Sequence, residues 1–158
     1  MDDYSRAEQI TDQIEYDIEE YKSILKELNI SGDRYIHIIR YIQQMLRDYK
    51  LHPVDIMKEI PLNLKGNERY VAVFIVGRSL SSLFYKMNDK EKTEFVVNIA
   101  NALKFSEDRV AAIAEYMTII KERMRKNAPV DVIKMIINNQ FMDTEKDYML
   151  FIFGIVWI

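Results

Sequence analysis

Residues 53–60 read PVDIMKEI, and residues 129–136 read PVDVIKMI. The two octapeptides stand 76 residues apart, and the match extends on both sides. Upstream, Leu28, Ser31, Asp33 and Arg34 match Leu103, Ser106, Asp108 and Arg109 at an offset of 75. Ile38 and Tyr41 match Ile113 and Tyr116 at the same offset. Downstream, Glu68 matches Glu145, and Phe74 to Gly77 (FIVG) matches Phe151 to Gly154 (FIFG), at an offset of 77. Two single-residue insertions in turns account for the drift. Three collinear blocks are a poor match to chance, and a fixed long period is the mark of a repeat. Convergent capping chemistry would explain only part of them.

The spacing of apolar residues around these blocks is helical. Thr11, Ile14, Ile18, Tyr21, Leu25 and Leu28 step by three and four, one stripe on a long first helix over about residues 5–28, with Ser5 and Glu8 as a capping box. Tyr35, Ile38, Ile39, Ile42, Met45, Leu46 and Tyr49 form the next stripe. Pro53 suits the first turn of a short helix, and Pro61 is expected to stop it. The apolar run Tyr70 to Val76 has the length of a buried strand. However, Val73, Val76, Leu80, Leu83 and Met87 keep helical spacing well past it, so a helix over about 67–87 is expected. Further helices begin at Asp89, Ser106, Pro129 and about Thr144. With only four glycines and three prolines, the chain lacks the turns that an all-β fold needs.

The expected fold is therefore all-α: one compact domain, 1–158, an internally duplicated helical bundle of about eight helices. Two four-helix repeats, 1–78 and 79–158, are expected to pack about a pseudo-two-fold axis, because one unit of this size rarely holds itself together strongly. The glycine-bearing helices are the natural centre, with Gly77 and Gly154 either at a close backbone approach or at kinks.

Composition narrows function mostly by exclusion. There is no cysteine, and His37 and His52 are the only histidines, which removes thiolate chemistry and histidine-rich metal sites. No phosphate loop, nucleophile elbow, zinc-protease helix or dinucleotide fingerprint occurs, so no catalytic, metal or cofactor residue is assigned. A net charge of −3 makes a nucleic-acid coat unlikely. Charge is nonetheless uneven: the first 20 residues hold eight acids and one arginine, while Lys121, Arg123, Arg125 and Lys126 cluster with one acid. The uncharged end, YMLFIFGIVWI over 148–158, is about half a membrane span. It reads as core, or as an interface through Phe151, Phe153, Trp157 and Ile158. The acidic N-terminus is unlike a signal peptide, and a cytoplasmic location is expected.

The polar residues matched between halves are the remaining candidates. Ser31/Ser106, Asp33/Asp108 and Asp55/Asp131 suit helix starts. Arg34 and Arg109 are misplaced in a first turn unless they pair with an acid or bind an anion. Tyr41 and Tyr116 suit the half-to-half contact or a ligand. The leading expectation is a protein-interaction or assembly module that self-associates or binds a protein partner. The alternative is a small-ligand or nucleic-acid-binding regulator, and an enzyme assembled between the halves comes third.

Overall fold

A computed structural model describes residues 3–156, and they form helices with no strand among them. The order is α1 (Asp3–Tyr16), α2 (Ile18–Glu27), α3 (Gly32–Asp48), α4 (Pro53–Asn63), α5 (Asn67–Ser79), α6 (Ser81–Tyr85), α7 (Asp89–Ala102), α8 (Glu107–Met124), α9 (Pro129–Ile137) and α10 (Asp143–Val156). No helix among the described residues is long and apolar enough to cross a membrane.

The core is built on α5 and α10, which pack along each other more extensively than any other pair. Tyr70 to Gly77 are all buried, as are Met149, Leu150, Phe151, Phe153 and Ile155. A helix apolar on every side must be enclosed. The others enclose it: α1, α2, α3, α4 and α9 all touch α5, while α6, α8 and α9 touch α10. The rings of Phe74 and Phe153 stack at 5.4 Å across the central pair.

What allows the central helices to approach is glycine. A Cβ on Gly77 would run into the Phe151 carbonyl oxygen, with the Phe151 carbonyl carbon 3.0 Å away. A Cβ on Gly154 would run into the Phe74 carbonyl oxygen and lie 2.8 Å from the Arg78 nitrogen. Each glycine thus faces the backbone of the other's helix. In the outer layer α2 packs on α9, and α4 packs on α7.

Several boundaries differ from the periodicity. The first stripe is two helices: the chain bends at Asp17 (φ −90°, ψ 10°) while the hydrogen bonds from Asp17 N to Gln13 O and from Tyr21 N to Asp17 O persist. The helix is already under way at Asp3, so Ser5 lies inside it, and Glu8 accepts from Arg47 Nε at 2.9 Å. Pro61 does not stop α4; it sits in the last turn, and Leu64 N still reaches Ile60 O at 2.9 Å. The helix expected over 67–87 breaks at Leu80, where the hydroxyls of Ser79 and Ser81 donate back to the Ile75 and Arg78 carbonyls. Ser106 caps α8 by accepting from Arg109 N, while the Ser31 side chain makes no such bond on α3.

Candidate functional site

The two arginines singled out from the sequence, Arg34 and Arg109, are both held in carboxylate forks. Arg34 donates from Nε to Glu68 Oε2 at 3.1 Å and from Nη2 to Glu68 Oε1 at 2.8 Å. Arg109 donates from Nε to Glu145 Oε2 at 2.6 Å and from Nη2 to Glu145 Oε1 at 2.9 Å. Each fork ties the start of one helix to the start of a central one, α3 to α5 and α8 to α10. Bidentate pairing is the strong form of this interaction and uses the planar edge an anionic ligand would need.

The two forks are not equally enclosed. Glu145 has a side chain 3% exposed, against 26% for Glu68, and it also accepts from Met142 N at 3.0 Å. The Arg109 guanidinium holds the Glu145 carboxyl below its ordinary range, against the effect of burial and aided by the Met142 amide. The stabilisation from this depressed pKa is therefore complete at pH 7 and is lost as the pH falls through the glutamate range. Glu145→Gln is expected to lower the melting temperature at pH 7 more than Glu68→Gln does. The gap should narrow toward pH 3. Equal losses at pH 7 would show that burial does not separate the two forks.

The tyrosines are likewise engaged. Tyr41 OH accepts from Asn63 Nδ2 at 2.9 Å, and Tyr116 OH donates to Met135 O at 3.1 Å. Arg109 and Tyr116 are brought together around one ring: the guanidinium lies 5.3 Å from the Phe141 centroid and the Tyr116 ring 5.2 Å. Among the described residues, Arg34 and Tyr41 share no such partner. Phe151 and Phe153 are fully buried within the chain and offer no surface to a second one. Trp157 and Ile158 lie outside the described residues.

A cleft lies elsewhere, between α1 and the α5–α6 break. Its volume is about 750 Å³, and Arg6, Asp17, Tyr21, Arg78, Tyr85 and Lys86 are among its walls. Three cations face one carboxylate, and that carboxylate already accepts from Gln13 Nε2 at 3.2 Å. Arg78 reaches Glu20 through a long bond of 3.4 Å and also interacts with the Tyr21 hydroxyl. Arg6 and Lys86 have no ion-pair partner among the described residues. Burial raises the Tyr21 hydroxyl pKa, so this side chain enters the cleft wall as a neutral phenol. Periodicity could not have found this cleft, because its walls come from two distant segments. The one sequence signal is a mismatch: at the offset of 77, Arg78 stands against Ile155.

A second, smaller cavity of about 220 Å³ lies beside Arg69 and Asp147, with Met57, Lys58, Pro61 and Leu103 in its walls. It is below the usual size of a ligand pocket, whereas the cleft falls within that range. Among the described residues no group of histidine, cysteine and acidic side chains could hold a metal ion. No protein-family model matches the chain, and neither a curated protein nor a solved structure does.

Proposed function

We propose that this chain is a binding protein that takes a small anion in the cleft between α1 and the α5–α6 break, on a scaffold made by tandem duplication. The observation that carries the binding reading is the cleft itself, which has the size of a ligand site and three cations against one engaged carboxylate. Cations lining a concave surface focus field and raise the local concentration of anions. The guanidiniums of Arg34 and Arg109, by contrast, are each committed to a carboxylate fork.

Support for the duplication comes from backbone detail as well as sequence. Asn29 and Lys104 are both left-handed, with φ of 61° and 64°. Each ends its helix with the same bond, Ile30 N to Leu25 O and Phe105 N to Ala100 O. The forks, the first-turn prolines and the reciprocal glycines recur at the same offsets. A residue i that meets j while its counterpart meets i's equivalent is the signature of a two-fold contact. The departures fit too. In the first half α1 covers α3, burying Gln43 and Leu46; 75 residues on, Thr118 and Lys121 are exposed on α8.

An assembly role is less favoured by the surface. Large exposed apolar side chains such as Tyr16, Leu62 and Met142 stand one or two to an element, and single ones are ordinary.

Titration with inorganic pyrophosphate by calorimetry tests the binding reading. The wild type is expected to bind one equivalent, and Arg78→Gln to weaken it about tenfold or more, as loss of a charged hydrogen bond does. Arg34→Gln should leave the affinity unchanged, because that guanidinium is occupied by Glu68. Absence of saturable binding, or an equal loss in both variants, would overturn it.

A further inference from the structure

Resting on that reading of the cleft, we infer that its ligand is a nucleoside phosphate, with the phosphate among Arg6, Arg78 and Lys86 and the base against the ring of Tyr85.

The volume is the first argument. About 750 Å³ is much more than a phosphate or pyrophosphate fills, and it lies in the range of cofactor-sized pockets. An ion alone would leave most of the cleft to water.

The second argument is the placing of Tyr85. It lines the cleft and is 44% exposed, a large area for an aromatic ring to leave in water. Yet the ring is fixed on three sides. Its hydroxyl donates to the Val156 carbonyl at 3.2 Å, and its edge meets Phe84 with centroids 5.7 Å apart. Lys92 Nζ lies 5.1 Å from its centroid and is not part of the cleft wall. A rigid, half-exposed ring is a stacking platform whose ordering cost has already been met in the folded state. Every nucleobase has a flat face to lay on such a ring.

The third argument is the kind of cation. Arg78 is held by a long bond to Glu20 and by the Tyr21 hydroxyl, and its planar guanidinium still has donors for oxygens on a tetrahedral group. Lys86 follows Tyr85 directly, so charge and ring enter the cleft from the same short segment. Ile10 and Leu83 give the wall its apolar part. A charged end, a flat face and an apolar lining together match an organophosphate with a ring better than they match a simple dianion.

The test compares ATP and AMP with inorganic pyrophosphate on the full chain, by calorimetry at fixed salt. At least one nucleotide is expected to bind ten times more tightly than pyrophosphate or better. Tyr85→Ala and Tyr85→Leu should both remove that advantage while leaving pyrophosphate affinity as it was, since base stacking is what they delete. Lys86→Gln should weaken nucleotide and pyrophosphate alike. If pyrophosphate binds and no nucleotide binds more tightly, the nucleoside assignment fails while the anion site stands. If neither class binds, both fail. Retention of the nucleotide advantage in both Tyr85 variants would overturn the role of the ring.

Discussion

Gly77→Ala is expected to destabilise the protein by about 3 kcal/mol or more, the upper part of the range for overpacking a close-packed site. The sign is the opposite of the general rule. In a helix interior alanine is preferred over glycine by about 1 kcal/mol, so helix propensity alone predicts a gain. The added methyl group here meets the Phe151 carbonyl oxygen, with Phe151 C at 3.0 Å and Cα at 3.1 Å. All three are backbone atoms, so no rotamer change can make room. The α5–α10 spacing has to widen, and that loosens the pair on which the rest of the core is assembled. A drop of roughly 10 °C in the melting temperature corresponds to this loss in a domain of this size. Gly154→Ala should behave in the same way, with its own methyl against Phe74 O and 3.2 Å from Gly77 C. Because both substitutions force apart one contact, the double variant should lose less than the two single losses added together. Gly32→Ala is the control: nothing lies within 4 Å of its Cβ position, and its effect should be close to zero. A change of less than about 1 kcal/mol in Gly77→Ala, measured by urea unfolding, would remove the glycine contact as the organiser of the core.

These two glycines also mark how far the sequence could be read. The helical class was legible because three- and four-residue spacing runs through nearly every segment, including Tyr70 to Val76, whose composition alone suits a strand. The close-approach reading of Gly77 and Gly154 followed from their matched places in the most apolar helices. Breaks inside helices were illegible. Asp17 and Leu80 are ordinary residues whose local bends depend on what packs around them, and Pro61 is tolerated because it falls in a last turn. Arg34 and Arg109 could be marked as electrostatically misplaced, but their acids, Glu68 and Glu145, lie 34 and 36 residues downstream. The cleft was hidden for the same reason in stronger form. Arg6 and Arg78 come from segments with no shared period, so only the fold brings them to one wall.

The second large effect is expected at Arg69, and its size should depend on pH. Arg69 joins the two central helices by donating to Asp147: Nε lies 3.2 Å from Oδ1 and 3.1 Å from Oδ2, and Nη2 is 2.6 Å from Oδ2. Beside it, Tyr70 OH donates to Asp143 Oδ1 at 2.7 Å. The Asp147 side chain is 3% exposed and that of Arg69 18%. Burial pushes the Asp147 carboxyl up to about 6; the attraction of Arg69 opposes this, and Asp143 adds to it. An acid whose folded pKa lies above its unfolded value is a burden on the fold at high pH. That burden is relieved as the pH falls through about 6 toward the ordinary aspartate range. At pH 7 the carboxylate is mostly ionised, and removing its partner strands a buried charge. Arg69→Ala should then cost about 3 kcal/mol, the lower end for breaking a buried pair, because the arginine is not fully enclosed. At pH 5 the carboxyl of the variant is protonated, the stranded charge is gone, and the cost should fall to roughly half. Glu145 remains ionised across this window, so the Arg109 fork contributes the same to both measurements. Combining Arg69→Met with Asp147→Leu should recover most of the stability, since an apolar pair of similar volume commonly replaces a buried ion pair without loss. A cost at pH 5 equal to that at pH 7 would mean that the stranded carboxylate is not what destabilises the variant. At the offset of 77 that aligns Glu68 with Glu145, Arg69 falls against Lys146 and Asp147 against Tyr70, so this pair has no counterpart.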